Sequence, residues 1–130
     1  MLQRIQSLYL LIVAVLTVLM YFFVFLYIES PDSLSYFKPI FTTTLCLLTS
    51  LTTIFLYKNR KLQIKFCYAN IVFLGLTYAE TGIYLYSQLP ANYMFLIGSI
   101  IPPICIILTF LAIRAIKKDE NLVKSLDRIR

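Results

Sequence analysis

Histidine is absent from this 130-residue chain, which removes the commonest general base near neutral pH, the commonest metal ligand and the usual axial ligand of a membrane haem. Glycine is scarce: three residues cannot build a phosphate-cradling loop, and there is no GxSxG elbow and no paired acidic motif. Cysteine is sparse and scattered. Cys46, Cys67 and Cys105 occupy three different apolar runs without CxxC spacing, and are expected to be buried small residues, not a disulfide or a metal set. Charge is thin as well, at 14% of residues against about 25% in an ordinary soluble domain. These shortages argue against an enzyme and predict neither a metal nor a cofactor.

What the chain has in abundance is hydrophobicity, with 60% apolar residues and a mean hydropathy of +0.82. Apolar runs cover residues 8–28, 39–57, 66–86 and 93–113, each near the ~20 residues that carry a helix across ~30 Å of hydrocarbon. The first run is too long for a signal-peptide core of about 7–15 residues, and Ile28-Glu29-Ser30-Pro31 offers no small-x-small cleavage site. It is read as a retained span. The remainder is a short N-terminus, three connections and a tail at 114–130, so residues 1–130 are expected to form one transmembrane domain. The expected fold class is all-α, an integral membrane four-helix bundle.

Basic residues set the expected orientation, because cytoplasmic segments retain Lys and Arg. Eleven of the twelve lie at Arg4, at Lys58, Arg60, Lys61 and Lys65, and at Arg114, Lys117, Lys118, Lys124, Arg128 and Arg130. Only Lys38 falls in the alternate gaps, beside Glu29 and Asp32. Both termini of the multi-pass chain are therefore expected in the cytoplasm. A net charge of +6 confined to one side follows from topology and implies no nucleic acid. It does imply attraction to anionic lipid headgroups, on the order of 1 kcal/mol per juxtamembrane cation.

Glu80 is the one ionisable residue well inside a run, where a charge costs several kcal/mol unless it is protonated, paired or solvated. Thr77 and Tyr84 share its helical face. Counting depth at 1.5 Å per residue puts Thr43 and Thr44 of the second run, Ser99 of the fourth and Tyr21 of the first at the same level. These seven residues form a candidate polar intramembrane site. Gly75, Ala79 and Gly82 form a small-xxx-small stripe, a packing face, expected to serve contacts within the bundle ahead of a homodimer. The hydroxyls Thr42, Thr43, Thr44, Thr49, Ser50, Thr52 and Thr53 spread around the second run and can bond to carbonyls of their own helix. That reading places packing ahead of a pore. Pro102 and Pro103 predict a kink in the fourth run.

The tail, RAIKKDENLVKSLDRIR, reads as a short amphipathic helix. Asp119 is placed to cap it, Glu120 and Lys124 pair at i,i+4, and Leu122, Val123, Leu126 and Ile129 form its apolar face. Lying in the cytoplasmic interface is the expected fate of such a segment, and docking onto a partner protein is the alternative. Together with the start MLQRIQSLYLLIVAVL, this tail resembles a family of small four-span membrane proteins of Bacteroidota that is catalogued as a domain of unknown function. The resemblance implies an inner-membrane location and brings no activity. The function expected is a non-enzymatic accessory or scaffolding subunit of a larger membrane complex. The rival is a small proton-coupled transporter working as a homodimer around Glu80.

Overall fold

The computed structural model describes residues 2–27, 33–87 and 93–128, and every regular element among them is helical. Helix α1 spans Leu2–Tyr27, α2 Ser33–Phe55, α3 Arg60–Ser87 and α4 Tyr93–Asp127, with a 3-10 turn at Leu56–Lys58 between α2 and α3. All four are long and apolar enough to cross a membrane. A helix satisfies its backbone donors and acceptors internally, as hydrocarbon requires.

Each helix packs on two others: α1 on α2 and α4, and α3 on α2 and α4. Neighbours run in opposite directions. Gln6 of α1 bonds to the Ala115 carbonyl of α4 at 3.2 Å. Farther along, Phe23 of α1 lies against Gly98 of α4, where an added Cβ would sit 3.5 Å from the ring's own Cβ.

Buried positions recur at alternating steps of three and four. They are Gln6, Leu10, Val13, Thr17 and Met20 on α1; Thr43, Cys46, Ser50 and Thr53 on α2; Gln63, Cys67, Asn70, Leu74, Thr77 and Thr81 on α3; and Pro102, Cys105, Thr109, Ala112 and Ile116 on α4. That 3.5-residue repeat is the seam of left-handed helix packing. One layer takes a residue from every helix, Val13, Cys46, Leu74 and Cys105. The small thiols sit on α2 and α4, and the bulkier aliphatics on α1 and α3, which fills the layer without voids. All three cysteines are free and buried, as their scatter in the sequence predicts.

The surface is more apolar than the seam. Leu8, Leu11, Val15, Phe22, Leu48, Val72, Ile83, Ile107 and Phe110 are exposed, while half of the principal buried residues are Thr, Ser, Asn or Gln. Water would tolerate no such exterior, since soluble monomers rarely expose contiguous apolar patches beyond a few hundred Å².

The tail departs from expectation. Helix α4 runs unbroken through Pro102 and Pro103 and on to Asp127, so no separate C-terminal helix begins after residue 113. Asp119 lies inside α4 and caps nothing. The sequence Arg114-Ala115-Ile116-Lys117-Lys118 contains no breaker, and its cations compensate unpaired carbonyls no earlier than the true end. Leu74→Ala should lower stability by about 2–5 kcal/mol through the cavity left in the central layer. Leu76→Ala, on the lipid-facing side of the same helix, should change it by less than about 0.5 kcal/mol. Thermal unfolding of the two purified variants in detergent is the check.

Candidate functional site

Interior hydroxyls first look to their own helix. Thr17 donates to the Ala14 carbonyl at 2.8 Å, Thr53 to Ser50 at 2.6 Å, Thr77 to Leu74 at 2.8 Å, Thr81 to Tyr78 at 2.9 Å and Thr109 to Cys105 at 2.7 Å. Their donors are thus met within their own helices, and these residues sit in the interior as small side chains. The polar residues that do cross between helices are the exceptions worth following, and three of them lie along the α2–α3 seam.

Glu80 is half-buried and accepts a hydrogen bond from Thr42 Oγ1 at 2.8 Å. Thr42 has a second acceptor, the Lys38 carbonyl at 3.1 Å. One hydroxyl has one proton. The Glu80 side chain and the Lys38 carbonyl therefore share that hydrogen. Among the described residues no cation is ion-paired with Glu80.

The predicted partners are only partly brought together. Thr43 and Thr44 both donate to the Ile40 carbonyl, at 3.0 and 2.7 Å, and the hydroxyl that reaches Glu80 is Thr42, one residue earlier. Ser99 donates to Leu96 on its own helix at 2.7 Å. Tyr21 is half-buried on α1, which does not adjoin α3, so equal depth does not bring it to Glu80. Thr77 is buried one turn below, and the side chain of Tyr84 lies outside the described residues. Rotation about the helix axis brings Thr42 to Glu80.

Asn70 was not legible as a site, yet among the described residues it is the most deeply buried side-chain amide, with no exposed surface. Thr49 Oγ1 lies 3.0 Å from its Oδ1, but the same hydroxyl is 2.8 Å from the Leu45 carbonyl and 3.0 Å from Cys46. Asn70 Nδ2 has no partner. Turning the amide over would let the nitrogen donate to Thr49 and leave the oxygen orphaned instead, so one of its two polar atoms is unsatisfied either way. The heptad register Gln63, Asn70, Thr77 is the signal that could have found it.

The other ends of the helices carry the cations. Gln63 donates to the Thr53 carbonyl at 3.1 Å, tying α3 to α2. Arg60 lies 3.4 Å from Asp119 Oδ2, an ion pair without hydrogen-bond geometry. Lys117 donates to Tyr68 Oη at 3.0 Å and stands 5.5 Å from its ring centre. Lys124 meets Glu120 at 2.9 Å, the expected i,i+4 pair, and holds that carboxyl below its usual range. Lys58, Lys61, Lys65, Arg114, Lys118 and Arg128 are exposed, and Arg130 lies outside the described residues.

The stripe Gly75, Ala79 and Gly82 is a correction. All three are exposed on α3, and nothing lies within 4 Å of a Cβ built on either glycine, so they do not pack inside the bundle. The close approach occurs instead at Gly98, which the sequence reading passed over.

Residues 35–129 match the family model described as Domain of unknown function (DUF4293), and the chain belongs to that family. The match covers nearly all of α2, all of α3 and α4 and most of the tail, and leaves out α1. No curated protein and no solved structure matches the chain. Asn70→Thr removes the orphaned amide and supplies a hydroxyl that can bond to the Phe66 carbonyl, so it should raise stability by about 1 kcal/mol. A thermal shift of the opposite sign would show that the amide is satisfied by something bound there.

Proposed function

We propose that this family member is a four-span protein of a bacterial inner membrane, of Bacteroidota origin, with both termini cytoplasmic. In this reading it is a non-enzymatic accessory or scaffolding subunit of a membrane assembly. The distribution of eleven of twelve basic residues supports the orientation, and the resemblance of the chain's two ends supports the origin.

The observation that carries the accessory role is the length of α4. Gln6 near the start of α1 is level with Ala115, and Arg60 at the start of α3 is level with Asp119. From Asn121 onward every side chain of α4 that the structure describes is exposed. About eight further residues, or ~12 Å of helix, project past the packed body and present Leu122, Val123 and Leu126 at 44%, 42% and 65% exposure. An interfacial helix turns to lie along the membrane, whereas this one continues its span as a single rod. An apolar face held away from the bilayer fits a groove on a protein, with Lys118, Lys124 and Arg128 against an acidic rim.

Purification of the tagged full-length chain from its native membrane in mild detergent should bring a stoichiometric partner. Truncation after Asp119, or Leu122→Ser with Leu126→Ser, should release it. Recovery of the chain alone in every form removes the accessory reading. The transporter alternative rests on the half-buried Glu80 without a cationic partner, in a dimer whose contact would be the outward Gly75, Ala79 and Gly82 face. There Glu80→Gln should abolish proton-coupled flux in proteoliposomes while leaving the fold intact, because a glutamine can still bond with Thr42.

A further inference from the structure

A recess of about 340 Å³ opens at the basic end of the helices, between α1, α2 and the start of α3. Its chemistry is divided. Leu10 and Ile54 give it an apolar floor, with the Tyr57 ring as an outer wall, while Gln6, Ser7, Gln63 and Arg60 line the remainder. Leu10 is fully buried and Tyr57 is 63% exposed, so the recess leads from the apolar core out to the level where interfacial aromatic residues sit.

The polar lining is held in place. Gln6 and Gln63 are 7% and 4% exposed, and each amide nitrogen is fixed by one bond to a carbonyl of a neighbouring helix, Ala115 or Thr53. Each keeps a second N–H. Arg60 carries five donors, and its contact with Asp119, at 3.4 Å, is not a hydrogen bond. Arg60 also opens α3, where Gln63 N bonds to the Asn59 carbonyl at 2.9 Å. The amides of the first turn ahead of Gln63 have no intrahelical acceptor, and the helix dipole is positive there. Lys58 and Lys61 adjoin the lining residues Tyr57 and Arg60 in sequence, and Asp119 and Glu120 are the acidic residues near Arg60.

We propose that this recess binds the phosphate of an anionic phospholipid. The phosphodiester would lie against Arg60 and the two glutamine amides, and the acyl chain against Leu10 and Ile54. A phosphate ester is the chemistry that the donors recognise, and the apolar floor is what selects a lipid over a soluble ester. The recess is a specific site, distinct from the diffuse attraction of the basic surface.

Native mass spectrometry of the full chain, equilibrated with phosphatidylglycerol or phosphatidylcholine, tests this. Wild type should retain one phosphatidylglycerol with about tenfold preference, a difference of about 1.4 kcal/mol. Arg60→Gln should abolish that preference, while Lys58→Gln and Lys61→Gln change it by less than about twofold. Asp119→Asn breaks the same ion pair yet leaves Arg60 in place, so it should retain the lipid at least as well as wild type. Loss in Asp119→Asn as in Arg60→Gln, equal loss in all the lysine variants, or full retention by Arg60→Gln each overturns the proposal. Displacement of the lipid by millimolar inorganic phosphate overturns the lipid assignment and gives the site to a soluble phosphate ester.

Discussion

The structure depends on one constraint: inside hydrocarbon, a polar group without an internal partner has no water to fall back on. The chain meets it by choosing hydroxyls that bond to the carbonyl one turn back, as Thr17, Thr53, Thr77 and Thr109 do. Such residues are small, and once their donors are spent they behave as packing residues. That is why a seam rich in threonine, serine and cysteine can hold four helices together while the bulky aliphatic and aromatic side chains face outward. The hydrophobic effect supplies no force between helices already in lipid, so close contact must supply it.

Against that background the residues that reach across stand out. Thr42 to Glu80 and Thr49 to Asn70 join α2 to α3, and Gln63 closes the same seam at the basic end. Gln6 performs the matching task between α1 and α4. Long amides are placed where the helices end, and the Glu80 carboxyl is placed toward the opposite side. The α2–α3 pair is thus fastened at three levels, which fixes the rotation of α3 and turns its glycine stripe outward.

Length, hydropathy and the basic asymmetry made the four spans legible, because those properties depend on composition alone. The site was legible to within one turn. Depth along a helix is a linear count and pointed to the stretch of α2 that holds Thr42; which hydroxyl there meets Glu80 depends on rotation, and a helix that is apolar nearly all round carries little rotational signal. The same weakness explains the glycine stripe, whose small residues permit close approach without saying which neighbour approaches. Asn70 escaped because an uncharged amide hardly disturbs hydropathy, although its seven-residue spacing from Gln63 and Thr77 was present in the sequence. The continuity of α4 escaped for another reason: a change from apolar to charged composition marks the edge of a membrane, not the end of a helix.

That continuity gives α4 the mechanics of a lever. In the proposed orientation, a rod packed at Gly98 and Ala115 would carry any pull on its exposed last two turns along its whole length. Its softest point is set by Pro102 and Pro103, which remove two backbone donors in succession. Strain applied at the charged end would concentrate there, beside the central layer of Val13, Cys46, Leu74 and Cys105, and would be felt on the far side as a change in how closely α4 sits against Phe23.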